Sequence, residues 1–191
     1  MDEISHHYIY GTCSDYLTGT SLVDTDDERY RQQLARFLVE EKGYAKAELE
    51  PRLKIETLFG GQFVTSKIDL VVRLAGRRLM ILRYGPGSLV TRERPAIAAA
   101  RVLDDECQMP LAVVTNGQDA EVLDTVSKKV LGTGLDAIPT RQELARFAAS
   151  HDFLARPVGE SLERELRILN AFDVERCCVG GPCALPGAEE G

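Results

Sequence analysis

Ile68-Asp-Leu-Val-Val72, followed by Leu79-Met-Ile-Leu-Arg-Tyr-Gly-Pro-Gly87, is the stretch of sequence that decides the fold. Both parts are rich in β-branched and large apolar residues, and Ala75-Gly76 lies between them as a turn signal. Upstream, Leu53–Leu58 alternates apolar and polar residues, and Gly60-Gly61 follows it as a second turn signal. The pattern predicts three antiparallel strands joined as a meander.

Helical patterns lie on either side of the meander. Thr25-Asp-Asp-Glu28 has the spacing of a capping box, in which the threonine hydroxyl and the glutamate each satisfy an orphan amide. Apolar residues at helical spacing follow until Gly43, which reaches the left-handed conformation at low cost and ends the helix. A shorter, alanine-rich helix is predicted from Pro95 to Leu103, with the proline near its first turn.

The second half of the chain adds strands and further helices. Leu111–Thr115 is a short apolar run typical of a buried strand, and Asn116-Gly117 is a tight-turn dipeptide. Residues 121–131 alternate weakly and predict short edge strands. A second capping box, Thr140–Glu143, opens one helix, and leucines between Leu162 and Leu169 mark a last one.

Composition describes an ordinary single-domain protein. The chain has 191 residues, of which 44% are apolar and 28% are charged, which is enough for one domain with a real core. No apolar run approaches the length that crosses a bilayer, and the residues from Met1 to His7 lack the pattern of a signal peptide. We therefore expect a cytoplasmic protein with no membrane partner.

The charge of the chain is distributed unevenly. The net charge of −7 argues against a protein that coats nucleic acid through bulk charge. Between Lys67 and Arg101, however, there are eight basic and two acidic residues, so this segment is +6 and the remainder is −13. An acidic protein with one basic stripe can still bind an anion there. The alternative is a solvated face of scattered arginines.

Four parts are expected along the chain. The tail is rich in glycine, proline and alanine, and we expect it to be disordered or to fold only on binding. A metal held by Cys177, Cys178 and Cys183 would need a fourth ligand and lacks zinc-site spacing, so free thiols are expected. The expected boundaries are an N-terminal lead-in at 1–24, the main domain at 25–150, a C-terminal helix at 151–176 and the flexible tail at 177–191.

Five segments of the chain together resemble a known family in their order and spacing. They are Asp27–Tyr44, Lys67–Val72, Leu79–Leu82, Val113–Gly117 and Gly134–Pro139. Over residues 24–147 the chain is similar to the N-terminal nuclease domain of type I restriction enzyme R subunits, in its stand-alone form. The resemblance implies a restriction-endonuclease-like PD-(D/E)xK fold of class α/β (α+β). Its core is a mixed central sheet that contains the meander and is flanked by helices.

The resemblance also implies nuclease chemistry, from which this chain departs. That chemistry needs a divalent cation held by Asp on one strand and by Glu-x-Lys at the end of the next. Asp69 matches the Asp position, but Arg83 falls on the Glu position and Gly85 on the Lys position. A unit positive charge ~4 Å from Arg83 would be repelled by about 4 kcal/mol at an effective dielectric constant of ~20. The Gln-x-x-x-Tyr element of related nucleases is also missing from Pro95–Arg101.

The leading hypothesis is therefore a catalytically degenerate nuclease-like domain that needs no cofactor and binds an anion at the altered site. Asp69 is expected to form an ion pair with Arg83. The arginine fork and the backbone amides of the glycines are predicted to bind DNA, another nucleic acid or a protein partner. The alternative for this loop is an ordinary Pro-Gly turn. The predicted anion-binding or nucleic-acid-binding residues are Arg83, Arg78, Arg92, Arg94, Gly85 and Gly87.

Two other functions stay open at this point. One is a Mg²⁺-dependent DNA endonuclease with migrated metal ligands, in which Asp69 is catalytic and Glu56 is a second metal ligand. Mg²⁺ is the expected cofactor of that alternative only. The other is a structural or regulatory subunit that uses the fold for protein contact, through the acidic remainder of the chain and its tail.

Overall fold

The computed structural model describes residues 9–59 and 62–172 of the chain. The turn pair Gly60-Gly61 and the predicted tail with Cys177, Cys178 and Cys183 lie outside the described residues. Among the helices of the described part, none is both long and apolar enough to cross a membrane.

The chain runs through a hairpin, a helix, a meander, a crossover helix, three further strands and two final helices. The strands are β1 (Ile9–Ser14), β2 (Ser21–Thr25), β3 (Leu49–Phe59), β4 (Gln62–Leu74), β5 (Arg77–Tyr84), β6 (Leu111–Thr115), β7 (Ala120–Asp124) and β8 (Val130–Thr133). The helices are α1 (Asp26–Glu40), α2 (Val90–Val102), α3 (Arg141–Ala149) and α4 (Glu160–Phe172), with single 3-10 turns at Lys46–Glu48 and Leu135–Ala137.

Six strands form one mixed sheet in the order β3-β4-β5-β6-β7-β8. The predicted antiparallel meander is β3-β4-β5, and β6-β7-β8 is antiparallel as well. Strands β5 and β6 pair in parallel because α2 carries the chain across between them. The prediction of a mixed central sheet with a meander, flanked by helices, is confirmed.

Helices cover both faces of this sheet. On one face, Leu38 of α1 and Leu144 of α3 pack with Leu82 of β5. On the other face, Ile97 of α2 and Leu169 of α4 belong to a second core that the sheet separates from the first. The central strands are buried from both sides, which explains their continuous apolar runs.

Both predicted capping boxes mark real helix starts, but only one of them is complete. At α1, the Thr25 hydroxyl accepts a hydrogen bond from the Glu28 amide at 3.2 Å. The Glu28 carboxylate, which a capping box would return to Thr25, is turned toward polar side chains instead. At α3, the box closes, because the Thr140 amide donates to the Glu143 carboxylate at 2.8 Å. The Glu28 carboxylate therefore does not cap the helix and is available for contacts with other side chains.

Two elements extend beyond their predicted bounds. Helix α2 begins at Val90, before the predicted start at Pro95, because buried Leu89 anchors an additional turn. Pro95 lies inside the helix, which forgoes one backbone hydrogen bond there. Strand β3 begins at Leu49 and runs through Pro51. It is an edge strand, so about half of its amides point away from the sheet, and a proline without an amide hydrogen is tolerated there.

The predicted N-terminal lead-in contains a two-stranded hairpin, β1-β2. Its connecting turn packs on α1, where the Tyr16 amide donates to the Gln32 side chain at 2.6 Å. The boundaries predicted at 24, 150 and 176 stay predictions.

Candidate functional site

Asp69 lies in β4 at a break in the regular strand. Ile68 and Leu70 would face the same side of an ideal strand, yet they pack into opposite cores. Arg52 of β3 falls at the same level of the ladder and has a φ of +56°, outside regular strand geometry. Because of this irregularity, Arg52 and Asp69 line one cavity.

The Asp69 carboxylate is buried and bound on both oxygens. Nε of Arg31, on α1, donates to Oδ1 at 2.5 Å, and the backbone amide of Tyr84, at the end of β5, donates to Oδ2 at 2.7 Å. The predicted ion pair of Asp69 with Arg83 stays a prediction, and the ion pair that the structure describes for Asp69 is formed with Arg31. Arg31 lies on helix α1, and no sequence pattern within β4 or β5 indicates its contact with Asp69.

Arg31 connects Asp69 to a second buried carboxylate. Its Nη1 donates to Glu28 at 2.9 Å, and Arg52 donates to the other Glu28 oxygen at 3.1 Å. Arg52 also forms an ion pair with buried Asp15. Burial opposes the charge of Arg31, but the ion pairs with Asp69 and Glu28 outweigh it and raise its pKa. These five residues, three carboxylates and two guanidinium groups, form the buried charge network.

A cavity of about 150 Å³ opens beside this network and is lined mainly by cationic side chains. Lys54 of β3 and Lys67 of β4 are direct cross-strand partners at this cavity, and both are exposed. Like charges at directly opposed positions destabilise a sheet. We call this cavity the basic pocket; its lining is Arg31, Arg52, Lys54, Lys67, Ile68 and Asp69.

The loop after β5 uses its glycines for packing. The Gly85 amide, predicted to bind an anion, donates to the Thr115 carbonyl at 3.0 Å. A methyl group at Gly85 would overlap the guanidinium of Arg92, which donates to the Pro86 carbonyl at 2.9 Å. Gly87 has a φ of +88°, which favours glycine. The Gly85 amide is thus engaged within the protein, which corrects the predicted role of that group.

The predicted arginines are spread over both ends of β5. Arg78 lies near the start of the strand and Arg83 near its end, roughly 17 Å apart at strand spacing. Arg78 pairs with Glu50 at 2.7 Å and lies 3.8 Å from Asp104, at a cavity of about 610 Å³. That cavity is the larger one, but its arginines face carboxylates, so its size alone indicates no function. Arg94 is exposed on α2.

The model of the family described as type I restriction enzyme R protein N terminus matches residues 26–139, which is more than half of the chain. The chain belongs to this family. The matched segment begins with α1 and contains the whole sheet and α2. No curated protein and no solved structure matches the chain.

For a member of the type I restriction enzyme R family, the residues around Asp69 do not fit a divalent cation. Glu56, the metal ligand of the endonuclease alternative, pairs with Thr65, about 13 Å along the strand from the level of Asp69. Glu28 is linked to Asp69, but through the guanidinium of Arg31. Within residues 9–59 and 62–172, no three His, Cys, Asp or Glu side chains are grouped to hold a metal.

Sequence reasoning missed Arg31, Glu28 and Lys54. The capping-box spacing of Glu28 indicated a contact within the first turn of α1, and it gave no sign of the ion pair with Arg52 of β3. For Lys54 a signal existed: a two-residue turn at Gly60-Gly61 pairs positions that are equally distant from it, and Lys54 and Lys67 are such a pair. Arg31 carried no signal, since its contact depends on how α1 packs on the sheet.

Proposed function

We propose that the chain is a catalytically degenerate nuclease-like domain that binds nucleic-acid phosphate at the basic pocket. The observation that carries the proposal is the cross-strand pairing of Lys54 with Lys67, beside Arg31 and Arg52. The pairing places two cationic side chains next to two guanidinium groups at one cavity, which an anion can contact together. Phosphate oxygens accept charge-assisted hydrogen bonds from lysine and arginine, which makes phosphate the chemical class that suits this lining.

The contacts of Arg31 support the proposal that metal-dependent catalysis has been lost. Its guanidinium is hydrogen-bonded to both Glu28 and Asp69, so it supplies the positive charge that these buried carboxylates need. A divalent cation ~4 Å from that guanidinium would be repelled by roughly 8 kcal/mol at an effective dielectric constant of ~20. The arrangement favours an anion at the pocket mouth over a cation between the carboxylates.

The arginines that follow β5 extend the proposed surface. Tyr84 joins the two regions, because its amide binds Asp69 and Gly85 next to it packs on Arg92. We infer that the nucleic-acid backbone passes from the basic pocket toward Arg92 and Arg94. Local concentration of cations makes this compatible with a net charge of −7.

Fluorescence anisotropy with a labelled oligonucleotide tests the proposal. The double variant Lys54→Glu/Lys67→Glu should bind about tenfold more weakly or worse, because two phosphate contacts become repulsive. A milder variant, Lys54→Gln/Lys67→Gln, should lower the slope of log affinity against log salt by about 1.4 to 1.8. The matched control is Lys128→Glu/Lys129→Glu, which makes the same charge change at exposed lysines of the β7–β8 turn. That control should keep most of the affinity.

Equal losses in the two glutamate variants would mean that binding follows bulk charge and does not use the pocket. If the unaltered protein binds no nucleic acid at low salt, the proposal fails and a protein-contact role is left as the explanation of the fold.

Nicking of supercoiled plasmid in the presence of Mg²⁺ tests the degenerate assignment. We expect no cleavage above background. Mg²⁺-dependent nicking that disappears in Asp69→Asn would overturn the assignment in favour of an endonuclease with migrated ligands.

A further inference from the structure

A second cavity is lined in part by the same helix, α1, as the basic pocket, and we call it the aromatic pocket. Its volume is about 160 Å³, well below the ~300–1,000 Å³ typical of sites for drug-sized ligands. It therefore suits one flat ring system. Its lining is mostly apolar with a few polar groups: Tyr30, Gln33, Leu34, Phe37, Tyr84, Thr115, Gly117 and Leu135.

The aromatic pocket has a rigid wall made of two stacked rings. Tyr30 and Tyr84 stack with their ring centroids 4.6 Å apart and an interplanar angle of 18°. A methyl group at Gly117 would overlap the Tyr30 ring, so this ring rests directly on the β6–β7 turn. Burial, aided by nearby Tyr30 and Asp27, raises the pKa of Tyr84 to about 12. Its hydroxyl therefore stays protonated, and able to donate a hydrogen bond, well above neutral pH.

The two pockets share their framework. Tyr30, Leu34 and Phe37 lie on one face of α1 and line the aromatic pocket, whereas the adjacent Arg31 lines the basic pocket. Tyr84 joins them from the sheet side, since its ring lines the aromatic pocket while its amide binds Asp69. The two pockets are therefore connected through α1 and through Tyr84.

We infer that the bound nucleic acid is single-stranded, with an unpaired base in the aromatic pocket and a neighbouring phosphate in the basic pocket. This inference rests on the proposed function and adds the substrate class. Every base has a π-face that stacks on aromatic side chains, but base pairing and stacking inside a duplex keep that face out of reach. Duplex DNA can meet the lysines without filling the aromatic pocket.

Binding of matched single-stranded and duplex oligonucleotides, with Tyr84→Leu and Tyr84→Phe, tests the inference. The unaltered protein should bind the single strand at least about fivefold more tightly than the duplex. Tyr84→Leu keeps the amide that binds Asp69 but loses the ring, so it should lose most of this preference and little duplex affinity. Tyr84→Phe keeps the ring and should retain the preference within about twofold.

A second measurement uses the unaltered protein and does not depend on the folding of a variant. An oligonucleotide with one 2-aminopurine among thymines should lose fluorescence on binding as the base stacks on tyrosine. The protein contains no tryptophan, so its own emission does not interfere. Quenching should saturate at the same concentration as the anisotropy signal, and Tyr84→Leu should abolish it.

The outcomes separate the two proposals. Equal affinity for single strand and duplex, with loss of both in Lys54→Glu/Lys67→Glu and no quenching, would overturn the single-strand inference and leave phosphate binding intact. Absence of binding to either form at low salt would remove the proposed function itself.

Discussion

Arg31 determines the chemistry available around Asp69. A guanidinium hydrogen-bonded to two buried carboxylates is a fixed internal counter-ion, supplied by the protein at all times. Because arginine stays protonated at any ordinary pH, this charge cannot be released by titration. The two carboxylates are therefore balanced by charge within the protein, and their ion pairs hold Arg31 and Arg52 beside the lysines.

Replacing Arg31 with alanine should destabilise the fold strongly. The variant leaves Glu28 and Asp69 buried with unbalanced charge, and breaking a buried pair in this way costs about 3–5 kcal/mol in the free energy of unfolding. Arg36→Ala on the same helix is the control, because that side chain is more than half exposed. Urea denaturation measures both variants, and similar losses would contradict the role given to Arg31.

At the scale of elements, strand register and tight turns bring the site together. Lys54 meets Lys67 only in the register observed for β3 and β4, and a shift of one residue would turn one of them to the other face. The β6–β7 turn supplies Gly117 as a surface for Tyr30. Single positions in these connections therefore control the shape of both pockets.

Gly117→Ala should cost more stability than Gly43→Ala. Both glycines have positive φ, +87° and +78°, so each substitution carries a backbone penalty of about 1–2 kcal/mol. At Gly117 the new methyl group also overlaps the Tyr30 ring, whereas Gly43 has open space. Displacing that ring should add about 1–3 kcal/mol and reduce 2-aminopurine quenching. Thermal unfolding of both variants measures the difference, which should vanish if the ring moves freely.

The sequence predicted elements better than contacts between them. Alternation, turn pairs and capping spacing are local, and they located the meander, the start of α1 and the start of α3. The start of α2 was wrong because burial of Leu89 outweighs the local signal of Pro95. Arg31 was not predicted as a partner of Asp69, because it is 38 positions away and meets Asp69 only when α1 packs on the sheet.

At the scale of the whole molecule, the buried charge network ties separate parts of the chain together. Asp15 belongs to the N-terminal hairpin, Glu28 to α1, and Arg52 to the sheet, and Arg52 binds both carboxylates. Loss of this link would loosen the hairpin from the domain. The network therefore connects global stability to the ionisation of one aspartate.

The protein should lose stability in acid through Asp15. Burial opposes its charge, but hydrogen bonds from Arg52 and from the Thr18 and Leu17 amides lower its pKa below the ordinary 3.8. A lowered folded-state pKa contributes stability above the unfolded value and loses it as pH falls through the folded value. Denaturation curves between about pH 6 and about pH 2 should show Asp15→Asn less stable near neutrality and converging with the unaltered protein in acid.

Asp152→Asn, at an exposed position, is the control and should follow the unaltered protein throughout. A constant gap between Asp15→Asn and the unaltered protein at every pH would show that ionisation of Asp15 does not contribute.

The position of β3 at the outside of the sheet has a consequence for the behaviour of the protein in solution. An outer strand offers open amides and carbonyls to which another molecule can add a strand, and this is a common route to aggregation. Pro51 lacks an amide hydrogen, Arg52 leaves strand geometry, and Lys54 places a charge there, so all three oppose such addition. Lys54 thus opposes strand addition as well as lining the basic pocket, and a substitution that keeps a charge at this position preserves that protection.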